Sequence, residues 1–266
     1  MKTILLVTLA AVAVSGCKSG WMPSLPVTKS AEEIVDSRTP TTPRDARTRA
    51  KLHTELGALY LQDGNMQVAL EELTYAITID ADYAKAYGAR GVVMYYLREI
   101  ALAERDFQKA MSLDGNDPEL NNNYGWFLCQ IGRGKEGMEY FQRAIRNPLY
   151  ETPGKAYANA GACHLKLGDL VTAEGFLQNS LNLMPDNPQA KLQMALVHYR
   201  RGEFDVAAQD LQDLAGNEPN AETLWLLVRV HRQLGNRLVE ARYSTQLRRR
   251  FPLSPEAQEL LKGNFE

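Results

Sequence analysis

Small residues recur along this chain every 34 positions, and that period restricts the possible folds more than any other feature. Gly57, Gly91 and Gly125 form one series; Gly161 follows after 36 residues and Ala195 after 34 more. Ala69, Ala103 and Gly137 form a second series, and Ala76, Ala110 and Ala144 a third. Asp80 and Asp114, Gly168 and Gly202, and Pro185 and Pro219 repeat at the same interval. A fixed period of this size marks stacked supersecondary units, each with an apolar face that only its neighbour covers. The chain therefore reads as an all-α array of helical hairpins. Its one two-residue excess falls at Asn147–Pro153, where it lengthens a loop on the convex edge.

The occupied slots resemble those of the tetratricopeptide (TPR) family, which implies a superhelical solenoid. The family places a large residue at position 4, Gly or Ala at 8, a large residue at 11, Ala at 20, a large apolar residue at 24, Ala at 27 and Pro at 32. Six repeats follow, at 50–83, 84–117, 118–151, 154–187, 188–221 and 222–255. The second is typical, with Tyr87, Gly91, Met94, Ala103, Phe107 and Ala110. The sixth keeps Trp225 and Ala241 but puts Arg229 at position 8, the weakest match. Small side chains at 8 and 20 let the two helices of a hairpin approach closely, and Pro at 32 stops the second helix. Residues 256–266 are expected to form a short capping helix.

Residues 1–16 have a different character. Lys2 precedes an apolar run from Ile4 to Val14, too short for a permanent span and suited to a secretory signal. Val14-Ser15-Gly16-Cys17 resembles the lipobox of bacterial lipoproteins, which implies cleavage before Cys17 and acylation there. The alternative is an ordinary cleaved signal with an incidental cysteine. Lys18 after the cysteine implies the outer membrane rather than inner-membrane retention. Residues 17–44 carry Pro23, Pro26, Pro40 and Pro43 among many Ser and Thr and read as a flexible tether, roughly 30 Å long as a coil.

The remaining two cysteines, Cys129 and Cys163, occupy positions 12 and 10 in the first helices of repeats three and four, which should be neighbours. With an exported chain they are expected to form a disulfide; the alternative is two buried thiols. No catalytic motif is present, so no enzymatic activity is expected. Of the four histidines, His164 and His198 share the packing slot at position 11, with no ligand partners at metal spacing. The expectation is therefore no metal and no cofactor beyond the lipid on Cys17. A net charge of −2 argues against nucleic acid as a partner, and no small-molecule substrate is implied.

Carried over from the TPR family, positions 2, 5, 6, 9, 12 and 13 of the first helices imply a concave partner groove. Those positions give Val92, Tyr95 and Tyr96; Asn122, Asn123 and Trp126; Asn159 and Leu165; and Gln193, Leu196 and Tyr199. Aromatic residues dominate binding hot spots, although Tyr95, Tyr96 and Trp126 could equally fill the core between repeats. The Asn123, Asn159, Gln193 row could hydrogen-bond an extended peptide, or be satisfied on the helix surface.

Three segments are more specific than the repeat consensus: Leu120-Asn121-Asn122-Asn123-Tyr124-Gly125-Trp126-Phe127-Leu128-Cys129, Gly57 to Asn65, and Asn147-Pro148-Leu149-Tyr150. They resemble the type IV pilus biogenesis lipoproteins of the PilF/PilW kind. That resemblance implies a pilotin, which binds the pilus secretin and assists its targeting to the outer membrane and its multimerisation, with the folded part in the periplasm. The residues alone leave open a TPR lipoprotein adaptor for another envelope complex, in outer-membrane protein assembly or peptidoglycan synthesis.

Overall fold

The computed structural model describes residues 43–216 and 219–265; the signal segment, Cys17 and the tether up to residue 42 lie outside them. Every element among the described residues is a helix. The hairpins are α1 (Pro43–Gln62) with α2 (Met66–Ile79), α3 (Ala84–Tyr96) with α4 (Ile100–Leu113), and α5 (Pro118–Gln130) with α6 (Gly134–Arg146). They continue with α7 (Pro153–Lys166) and α8 (Leu170–Leu183), then α9 (Pro188–Arg200) followed by α10 (Phe204–Asp210) and α11 (Gln212–Gly216). The last hairpin pairs α12 (Ala221–Gln233) with α13 (Arg237–Arg250), and α14 (Pro255–Lys262) covers its end. This is a TPR solenoid.

The first helix begins at Pro43, inside the stretch read as tether. Its added turns are held by Arg47, which pairs with Asp80 at 2.5 Å and lies over the Tyr83 ring. The outer turns before α5, α9, α12 and α14 end in side-chain caps that satisfy otherwise orphaned N–H groups. Asp117 accepts from the Leu120 amide at 2.9 Å, Asn220 from Thr223 at 2.8 Å and Ser254 from Ala257 at 3.1 Å. Inside hairpins one to four the position-20 carbonyl lies close against the glycine at position 8, and the core is a chain of small clusters rather than one centre. Phe107, Tyr124, Phe127 and Leu128 form one such cluster, and Cys129, Phe141, Ala160 and Cys163 the next.

Inner turns need a left-handed residue at position 15, supplied by Gly64, Gly132, Gly168 and Gly202. Repeat two uses Arg98 there, at φ 67°. A Cβ in this region costs about 1 kcal/mol, so Arg98→Gly should stabilise the fold by roughly 0.5–1 kcal/mol. A denaturant midpoint that does not rise would show that Arg98 is unstrained.

The same turn corrects the register of repeat six. Gly235 is left-handed and lies 33 residues after Gly202, so the hairpin runs 221–254 and the covering helix starts at Pro255, not at 256. The missing residue is in the preceding outer turn. Pro185 stands two residues before the N-cap Asn187, whereas Pro219 stands one before the N-cap Asn220. In this register position 8 is Val228, buried, and Trp225 and Arg229 move to the concave positions 5 and 9.

Candidate functional site: the concave groove

The concave face of α3, α5, α7, α9 and α12 encloses a groove of about 550 Å³. Tyr95, Tyr96 and Trp126 form one wall, Trp225, Arg229 and Glu222 the other, and Leu165, Leu192 and Leu196 the floor between them. Rims are polar: Gln130, Lys166 and Arg200 at position 13 along one edge, Gln189, Glu222 and Glu256 at position 2 along the other.

The aromatic wall is built from the core outward. Tyr95 meets Trp126 edge-on at 5.0 Å and Phe127 at 6.2 Å, which ties it to the Phe107 cluster. Trp126 packs against the Cys129 and Cys163 cluster. Tyr96 lies 5.9 Å from Trp126 and is 51% exposed. The three rings therefore serve both purposes left open by the sequence, rooted in the core and presented to the groove. Beneath them Cys129 and Cys163 are joined by a disulfide, with their Cα atoms 5.8 Å apart.

Burial, then Tyr95, then the Glu222 carboxylate on the opposite wall raise the Tyr96 phenol pKa. Burial and the like charge of Glu256 raise Glu222. Burial lowers Lys166, whose ammonium is hydrogen-bonded to the Gln130 side chain.

Several expected groove residues sit elsewhere. Val92 packs against the Phe107 cluster and is absent from the lining. Asn122 is 4% exposed: its Oδ1 accepts from Asn159 at 3.0 Å, and Asn159 in turn accepts from Gln189 at 3.4 Å. These amides satisfy one another instead of standing free, because positions 5 and 6 of adjacent first helices face each other. With Asn123 and Lys155 they line a separate shallow depression. Leu165 does line the groove, 2% exposed in its floor. Tyr199 packs on Phe204 under the Arg229 guanidinium, 4.5 Å away. Gln193 and Leu196 lie in the groove as expected.

Gln130, Lys166, Arg200, Glu222, Trp225, Arg229 and Glu256 belong to the groove but were not found from the sequence. The first three follow from reading positions 12 and 13 strictly, the others only from the corrected register. The histidines pack: His164 stacks on Phe176 at 5.3 Å, His198 pairs with Asp210 at 2.5 Å, and His231 stacks on Tyr243 at 5.7 Å. Among the described residues no three His, Cys, Asp or Glu converge as metal ligands. Likewise, no described helix is long and apolar enough to cross a membrane.

A tetratricopeptide repeat family model matches residues 192–255. The chain is 32% identical over 257 residues to the type IV pilus assembly protein PilF of Pseudomonas aeruginosa, covering 96% of each sequence. It belongs to the PilF/PilW family of type IV pilus biogenesis proteins. Solved structures agree. That of PilW, described as a widely conserved type IV pilus biogenesis factor, superposes with a TM-score of 0.68 at 31% identity, covering 80% of this chain and 98% of PilW. That of Pseudomonas aeruginosa PilF gives 0.64 at 30%, covering 82% and 99%. The shared region spans nearly the whole of those two chains.

Proposed function

We propose that this protein is a non-enzymatic pilotin: an outer-membrane lipoprotein, acylated at Cys17, that takes a segment of the type IV pilus secretin into its concave groove. Binding there assists the secretin's targeting and multimerisation, and hence pilus biogenesis. The observation that carries this reading is the half-buried Tyr95, Tyr96 and Trp126 wall. Its rings are fixed before any partner arrives, which lowers the ordering cost of binding. Large amphipathic side chains in that condition are the usual anchors of an interface. Membership of a pilus biogenesis family supports the choice of partner. Acylation would hold the array at the membrane, at about 0.8 kcal/mol per buried CH₂, while the tether lets it reach a partner.

Trp126→Ala tests the groove. Removing a central anchor should weaken secretin capture from solubilised envelopes at least tenfold, about 1.4 kcal/mol or more. SDS-resistant secretin rings should fall with it, and far-UV circular dichroism should stay unchanged. Undiminished capture by a folded variant would refute the reading.

A further inference from the structure

Beyond the aromatic wall, the C-terminal segment packs against α12, which forms the opposite side of the groove. After α14, Gly263 turns the backbone at φ 71°, and its amide donates to the Leu260 carbonyl at 3.2 Å. Asn264 secures the turn, its amide donating to the Glu259 carbonyl at 3.1 Å and its side chain to the Glu259 carboxylate at 2.7 Å. This lays Phe265 on α12. The Phe265 ring stacks on Trp225, with centroids 5.5 Å apart and planes at 28°. The Arg232 guanidinium carbon lies 3.8 Å from the centre of the same ring. Arg229 donates from Nε to the Phe265 main-chain oxygen at 3.2 Å.

Trp225, Arg229 and Arg232 stand at i, i+4 and i+7, so they form one stripe along α12. Trp225 and Arg229 also line the groove. The stripe contacts two features of one residue at once: its π face, through the indole and a guanidinium, and its own backbone carbonyl. The stripe has structural partners as well: Trp225 packs against the repeat-six cluster, Arg229 lies over Tyr199 and Arg232 pairs with Glu240 at 2.8 Å. The interior of repeat six is closed by Leu224, Leu247 and Ala257, and Phe265 is not part of that cluster.

We infer that the Trp225, Arg229 and Arg232 stripe is a docking site for an extended partner segment bearing an aromatic residue, and that Phe265 is its built-in competitor. The inference rests on the concave groove being the binding surface. A partner's aromatic side chain takes the place of Phe265, whose release requires the turn at 263–264 to rearrange. Two ring contacts and one hydrogen bond hold Phe265, few enough to exchange. Occupied by its own chain, the site rejects weak ligands; a segment that also reaches the Tyr95, Tyr96 and Trp126 wall gains enough to displace Phe265.

The probe is a fluorescein-labelled peptide, Gly-Asn-Phe-Glu-Gly, titrated into the full mature chain and followed by anisotropy. Phe265→Ala should bind it at least tenfold more tightly than the unaltered protein. A second substitution in that background, Trp225→Ala, should remove the gain. Arg232→Gln should reduce it without touching the core, since that side chain is 48% exposed. A probe with Leu in place of Phe should bind at least tenfold more weakly. Equal affinity of the unaltered protein and Phe265→Ala, or a gain that survives both second substitutions, would overturn the inference. So would a concentration-dependent dimer that Phe265→Ala abolishes, because the occupant would then be a second copy of the chain. Secretin plays no part in the assay, so a failure here is distinct from undiminished secretin capture by Trp126→Ala.

Discussion

Replacing Gly137 with alanine should lower the stability of the array by roughly 3 kcal/mol, more than any single exposed substitution. Gly137 faces Gly125 across hairpin three, and an added Cβ would lie 2.6 Å from the Gly125 carbonyl oxygen. The atom it meets is backbone, so no side chain can rotate away. The reverse contact is nearly as short, 2.9 Å from a Cβ on Gly125 to the Gly137 oxygen. Elsewhere the corresponding distance is longer: 3.3 Å for Gly57 and Gly91, and 3.1 Å for Gly161, with alanine at position 20. Repeat three is thus the tightest hairpin, and it carries Trp126 and Cys129 on the same helix. Forcing α5 and α6 apart should shift the aromatic wall as well as lower the thermal midpoint by roughly 10 °C. Gly175→Ala is the matched control. That glycine lies inside α8 with nothing within 4 Å of its Cβ position, so the same chemical change should stabilise by about 0.5–1 kcal/mol. Calorimetry on both variants decides it; a Gly137→Ala midpoint within 2 °C of the parent would mean the hairpin yields easily.

Much of this architecture was legible in the sequence, and the exceptions have local causes. Small residues at positions 8 and 20 cannot vary freely, because backbone approach depends on them, so hairpins one to five could be placed by counting. Repeat six could not. One residue is missing between Pro219 and Asn220, and Trp225 falls by coincidence where the family puts a large residue at position 4. The two 33-residue intervals, Asn187 to Asn220 and Gly202 to Gly235, carried the correct register. In that register the third histidine, His231, also falls at position 11. Partner choice among polar groups was illegible for another reason. Asn122, Asn159 and Gln189 pair with one another, and Arg90 grips the buried Asp106 carboxylate at 2.7 and 2.8 Å, through helix-to-helix geometry that no spacing rule encodes. The groove's existence was therefore implied by the family resemblance, but its far wall and the loss of Asn122 from its surface were not legible.

Reducing the Cys129 to Cys163 bond should cost about 3–4 kcal/mol, the largest effect expected from any covalent change. The bond closes a loop of 34 residues, and the chain-entropy relation then gives about 3.8 kcal/mol. Its position matters more than its size. In a solenoid each hairpin contacts only its neighbours, so stability is a sum of repeat and interface contributions, and partial unfolding starts wherever an interface is weakest. The disulfide bridges the interface between hairpins three and four, the middle of the stack. With it, hairpins one to three and four to six cannot separate unless both lose structure. Without it, the array should unfold in two steps instead of one. The same bond lies under Trp126, so the Cys129→Ala, Cys163→Ala double variant should also bind secretin more weakly, through a loosened wall rather than a missing contact. Thiol titration of the denatured mature protein, with and without reductant, checks the bond itself: no thiols without reductant and two with it. Urea unfolding by circular dichroism checks the coupling. Two free thiols before reduction, or one unchanged cooperative transition after it, would mean that packing at the Phe141 and Ala160 cluster holds the two halves together and the sulfur bridge does not.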